Sequence, residues 1–283
     1  MPEKKLALRG VEWEYITGGR GERVLLLLHG AAGGAETMHA LAEAFADEYR
    51  TIAPTITSVR RLDEVCDALS AILDKEHVGR AVVFGGSFGG VVAQAFAKRY
   101  ARQVEDLILL STGVPNRALG ARTEKILKYL SYLPFPLMRA LMKLEISRHL
   151  KAPAPSEEAA RIDAFKKRLD DYFDHKLTKD VMLSRVALTI DFNKHESLTP
   201  EDFDAWPGRV LIIESDNDPM IGPEDRSRLR AAYPRALVCT FPGAGHMIPL
   251  LKLEEMVEVV KAFLKDVYGP PAVEAHCAAH EEH

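Results

Sequence analysis

The chain has 283 residues, 47% of them hydrophobic, enough to bury one large core together with an inserted element. Its formal net charge of −4, with both signs interspersed, excludes the basic face of a nucleic-acid binder. No run of about 18 uninterrupted apolar residues occurs, so no transmembrane helix is expected. The start, Met1-Pro2-Glu3-Lys4-Lys5-Leu6, lacks the long apolar segment of a signal peptide. Cys66, Cys239 and Cys277 are far apart, which reads as free thiols in a reducing compartment and hence as a cytoplasmic protein.

In chain order, Leu6 to Ile16 reads as one or two edge strands and Val24–Leu28 as a buried strand. That strand runs into His29-Gly30-Ala31-Ala32-Gly33-Gly34, where backbone can come close to a bound substrate. Thr37–Tyr49 reads as a helix and Thr51–Pro54 as extended chain. Leu62, Val65, Cys66, Leu69, Ile72 and Leu73 recur at helical spacing, which assigns Cys66 to a packing face.

The next segment carries the chemistry. Ala81-Val82-Val83-Phe84 is a short apolar strand pattern that breaks into Gly85-Gly86-Ser87-Phe88-Gly89-Gly90, and Val91, Val92, Ala95 and Phe96 then recur at helical spacing. A strand turning sharply into a helix forces Ser87 into a strained conformation at the apex, with small residues on either side. This is the setting of a nucleophilic serine; out of that setting Ser87 is a turn residue or a helix N-cap. A nucleophilic serine needs a base, an orienting acid and an oxyanion hole. The backbone N–H groups of Ala31 and Phe88 are placed to supply the last.

Val104–Leu110 reads as the following strand. Strand signals then stop until Trp206, and the expected helices are Arg122–Leu133, Pro136–Leu150, Ser156–Phe173 and Lys179–Lys194, punctuated by Pro134, Pro136, Pro153 and Pro155. Most apolar residues of the first half read as core, while Met138 and Met142, with Phe88, Met220 and Met247, are candidates to line an apolar substrate pocket. Val210–Ile213 is a strand that leads into Glu214-Ser215-Asp216-Asn217-Asp218-Pro219, which offers two carboxylates, Asp216 and Asp218. The run from Ala236 to Phe241 precedes Pro242-Gly243-Ala244-Gly245-His246. Leu253, Met256, Val257, Val260, Phe263, Leu264 and Val267 form the stripe of a closing helix. The tail beyond Gly269 holds His276, Cys277, His280 and His283 but offers no rigid scaffold, so no metal site is expected.

Serine, aspartate and histidine in that order, each just past a strand, resemble the α/β-hydrolase superfamily from about residue 6 to residue 267. Phe84–Arg99 and the unconventional loop after the Thr51–Pro54 segment also resemble its maspardin-like branch. The resemblance implies an α/β fold with a mostly parallel central sheet flanked by helices: a core of 1–114 and 207–269, a helical cap over 115–206 and a tail of 270–283. It implies Ser87 as nucleophile, His246 as base and, from the family's register, Asp218 rather than Asp216 as acid. It also implies ester, thioester or amide substrates, an acyl-enzyme and no cofactor. The partner expected is a small acyl compound, with nothing in the pattern fixing an oligomeric state.

Two departures stand out. Gly86 occupies the position before the serine where many relatives have His or Trp, and Ala53–Arg60 lacks the glycines of the usual loop. The fold alone fixes no reaction. Carboxylic ester hydrolysis leads, with thioester, lactone or carbon–carbon hydrolysis as a second class and a non-catalytic scaffold as a third.

Overall fold

The computed structural model describes residues 1–149 and 157–265. Eight strands form one sheet: β1 (Glu3–Leu8), β2 (Val11–Gly19), β3 (Val24–Leu28), β4 (Arg50–Pro54), β5 (Ala81–Gly86), β6 (Val104–Leu110), β7 (Val210–Ser215) and β8 (Leu237–Phe241). Their spatial order is β1-β2-β4-β3-β5-β6-β7-β8. The hairpin β1–β2 and the pair β2–β4 are antiparallel, and every pair from β4 across to β8 is parallel. The carboxyl ends of β3, β5, β6, β7 and β8 therefore share one edge, where loops can converge on a ligand.

Residues of the interior strands alternate between two buried layers, as period-two side-chain placement requires. Leu26, Val83, Leu107 and Ile212 face α2 (Leu62–Lys75) and α3 (Phe88–Arg99), whereas Leu25, Val82, Ile108 and Ile213 face α1 (His39–Phe45) and α10 (Leu253–Leu264). The helix expected over Thr37–Tyr49 is shorter than its pattern suggests. A 3₁₀ turn over Ala35–Met38 comes first, tightened by the Thr37 hydroxyl donating to Gly34 O, and α1 follows.

After β6 come α4 (Arg117–Leu130), α5 (Phe135–His149), α6 (Glu157–His175) and α7 (Lys179–His195), with no strand among the described residues before β7. The first of these begins earlier than Arg122 because the Asn116 side chain caps it, accepting from the N–H groups of Ala118 and Leu119. Pro153, Pro155 and Ser156 lie outside the described residues, as do His276, Cys277, His280 and His283. Past β7, α8 (Pro223–Ala232) covers the sheet, and α9 (Ile248–Leu251) follows the loop that carries His246.

Cys66 is a buried free thiol. Cys239, expected to be free, is disulfide-bonded, which removes the thiol argument for a reducing compartment. Among the described residues no helix is long and apolar enough to cross a membrane, and no group of three or more His, Cys, Asp or Glu is arranged to hold a metal.

Candidate active site

Ser87 stands between β5 and α3 with φ 53° and ψ −118°, a conformation that a residue bearing a Cβ adopts only under constraint. The constraint comes from β6 and α3. The Ser87 N–H donates to Leu110 O at 2.8 Å, its carbonyl accepts from the Thr112 hydroxyl at 2.9 Å, and the N–H groups of Gly90 and Val91 donate to the same carbonyl. The flanking glycines are steric necessities: a Cβ on Gly85 would lie 2.3 Å from Gly89 O, and one on Gly89 would lie 2.0 Å from Leu28 O. Helix α3 thus sits directly on β3 and β5.

The two aspartates past β7 do different things. Asp218, 6% exposed, accepts at 2.8 Å from the Nδ1–H of His246. Its other oxygen accepts from the N–H groups of Met220 and Ile221 at 2.8 and 3.1 Å. Burial pushes the Asp218 carboxyl up, but the hydrogen bond and charge of His246 and the two N–H donors outweigh it and leave the group below the usual carboxylate range. Asp216 is exposed and accepts from the Gly243 N–H, while Asn217 accepts from Gly245 N–H and the Ser215 hydroxyl. Asp216, Asn217 and Ser215 thereby fasten the Asp218 loop to the His246 loop, whose Gly243 and Gly245 take φ of 67° and 63°.

Ser87 and His246 line one cavity of about 270 Å³, with no hydrogen bond closed between them. Such contacts are often loose without substrate and tighten in the reacting complex. The N–H groups of Ala31 and Phe88 have no acceptor among the described residues, and Phe88 opens α3, where the helix dipole favours negative charge. Leu28, Leu41, Phe84, Leu110, Phe165 and Leu169 make the wall apolar. Met142, Met220 and Met247 lie on this wall, and Met220 is 57% exposed.

Two expected lining side chains are elsewhere. Met138 is 4% exposed and packs with Leu169, Tyr172, Phe173 and Met182, because the start of α5 lies against α6 and α7 and only its later turns reach the cavity. The Phe88 ring points into the core under α3, 6.5 Å from the imidazole of His29.

The loop at Ala31 is held from three sides. His29 is fully buried; its Nδ1–H donates to Gly30 O at 2.8 Å and its Nε2 accepts from Ile56 N–H at 2.9 Å. Burial, reinforced by the charge of Arg185, lowers its pKa to about 3, so the ring is neutral. Arg185 of α7, 2% exposed, donates to Ala31 O at 2.6 Å, to Ile56 O at 3.2 Å and to the Tyr172 hydroxyl at 2.6 Å. The glycine-free stretch after β4 is thus locked by His29 and Arg185 to the loop it adjoins. Sequence reasoning missed Arg185, whose partner Ala31 lies 154 positions away. Ser111, which also lines the cavity, was missed because it reads as the end of an apolar strand.

Residues 25–262 match the family described as "Alpha/beta hydrolase family". A 2-hydroxy-6-oxononadienedioate/2-hydroxy-6-oxononatrienedioate hydrolase of Burkholderia vietnamiensis is 27% identical over 274 residues, covering 89% of this chain and 90% of that protein. A thermophilic esterase from Thermogutta terrifontis superposes with a TM-score of 0.72 at 20% identity, over 95% of this chain and all of the other. A meta-cleavage product hydrolase from Pseudomonas fluorescens superposes with a TM-score of 0.65 at 21% identity, over 94% and 98% of the two chains. With strand order, strained serine turn and family match in agreement, the chain belongs to the alpha/beta hydrolase family.

Proposed function

We propose that the protein is a serine hydrolase that cleaves uncharged carboxylic esters through an acyl-enzyme. The observation that carries the reading is the 2.8 Å hydrogen bond from His246 to Asp218, on a histidine that shares its cavity with a serine held at the strained turn. His246 takes the proton from Ser87 as Oγ attacks the ester carbonyl. Asp218 fixes the imidazole tautomer and stabilises the imidazolium. The oxyanion is received by the Ala31 and Phe88 N–H groups; losing one such donor typically costs about 3–4 kcal/mol of transition-state stabilisation. His246 then gives its proton to the departing alcohol, and a water that it deprotonates releases the acid and restores Ser87.

The wall supports ester over carbon–carbon chemistry. The Burkholderia relative acts, by its name, on a dioate, a doubly anionic acid. Among the described residues the lining contains no Lys or Arg to receive such an acid, and its one carboxylate, Glu145, is paired with Arg148. Arg185 is occupied by two carbonyls and a hydroxyl. An apolar acyl or alcohol chain against Met142, Met220 and Met247 suits this cavity better. The test is turnover of a p-nitrophenyl ester series beside a dicarboxylate vinylogous diketone. Hydrolysis of the esters by wild type, lost in Ser87→Ala, is the expected result; cleavage of the dicarboxylate with the esters untouched contradicts the assignment.

A further inference from the structure

Ser111 is the first residue beyond β6 and carries two unfavourable features at one position. Its backbone is left-handed, with φ 44°, in a residue that bears a Cβ. Its side chain is 2% exposed, yet the hydroxyl has no hydrogen-bond partner among the described residues, a costly state for a buried polar group. Glycine would remove both features. The backbone is well held, with the Ser111 N–H donating to Ile213 O at 2.9 Å, so the position is built and not loose.

Nearby hydroxyls behave differently. Thr112 donates to Ser87 O, and Thr37, also on the cavity wall, donates to Gly34 O. Ser111 lines the same cavity as Ser87 and His246 without such a partner. Gly86 is paired in register with Leu110, so Ser111 lies one strand over from the nucleophile turn. Neighbouring strands are about 4.8 Å apart, which brings Ser111 close to the turn whose serine attacks the carbonyl.

We propose that Ser111 is a specificity-determining residue whose hydroxyl bonds an oxygen substituent near the scissile carbonyl, so that 2- or 3-oxygenated acyl esters are preferred over plain alkanoates. The inference rests on the serine-hydrolase reading of the same cavity. A site built to bond a polar substituent discriminates against the analogue that lacks it, because the hydroxyl is then left unpaired.

The experiment compares kcat/KM for ethyl butanoate, ethyl 2-hydroxybutanoate and ethyl 3-hydroxybutanoate in wild type, Ser111→Ala and Ser111→Gly, with fluorophosphonate labelling of each. Wild type should favour one oxygenated ester, and both variants should lose about tenfold more on that ester than on butanoate. Ser111→Gly should melt above Ser111→Ala, since only glycine relieves the left-handed backbone. Equal loss of discrimination at unequal stability separates recognition from a merely structural role. A wild type without the preference, a preference that survives in both variants, or equal losses on all three esters overturns the inference while the hydrolase reading stands. A wild type that neither labels nor hydrolyses butanoate overturns the hydrolase reading and this inference with it.

Discussion

The carboxyl edge of the sheet and the helical insertion are built to different standards. At the sheet edge, Ser87 is tied to Leu110 and Thr112, Asp218 to three donors, and the His246 loop to Asp216 and Asn217. In the insertion, Leu137, Leu141 and Leu144 of α5 are about half exposed, and Tyr132 after α4 is 78% exposed. A packed edge with satisfied hydrogen bonds can hold reacting groups to the tolerance that chemistry needs. A helical cover with loosely buried apolar residues can vary its lining without disturbing them. On the proposed reading the first region carries the chemistry and both regions set substrate fit, with Arg185 of α7 joining the two at Ala31.

The largest effect should come from the edge. Asp218→Asn removes the acceptor for the His246 Nδ1–H and favours the wrong tautomer, so kcat should fall by about 10⁴. Asp216→Asn retains an oxygen for Gly243 N–H and should cost less than about tenfold. The reverse ranking of the two rates would move the acid role to Asp216.

The join between the regions comes next. Arg185→Met leaves the Ala31 and Ile56 carbonyls without their donor, and the displaced loop should lower kcat by about 10² with a smaller change in KM. A rise in KM alone would make Arg185 a part of substrate fit.

Within the insertion, two methionines on one helix separate packing from fit. Met138→Ala should destabilise by about 2–4 kcal/mol and leave the acyl-chain-length profile unchanged. Met142→Ala should shift that profile by up to about tenfold towards longer chains. Matching profiles for the two variants would dissolve the distinction.

A further effect is one of pH. Because the folded pKa of His29 lies near 3 and its ordinary value is 6.5, unfolded chains bind this proton first as the solution is acidified. The stability it confers is complete above pH 6.5 and is lost towards pH 3, about 2 kcal/mol of it by pH 5. Denaturant unfolding of His29→Gln between pH 7 and 5 should show a shallower loss than wild type; parallel curves would contradict a neutral buried ring.

What the sequence revealed follows the same division. β6 has the ends that its apolar run predicts, and α2 follows its heptad-like spacing, because local pattern and burial agree there. The serine turn is legible because its glycines, strand and helix are contiguous. The start of α4 was misplaced because its cap, Asn116, stands well before the apolar repeat begins. Met138 and Met142 share a helical spacing, so only the overlap of α5 with α6 tells them apart. Arg185 and Ser111 acquire meaning only from partners brought by the fold, or from the lack of one.

The most direct test of a reactive serine at the sheet edge is covalent labelling of the folded protein with a fluorophosphonate, read by intact mass and peptide mapping. A single adduct on Ser87, slowed in Asp218→Asn and abolished in Ser87→Ala, is the predicted result. A folded protein that takes no adduct, or takes it on another residue, would contradict the account.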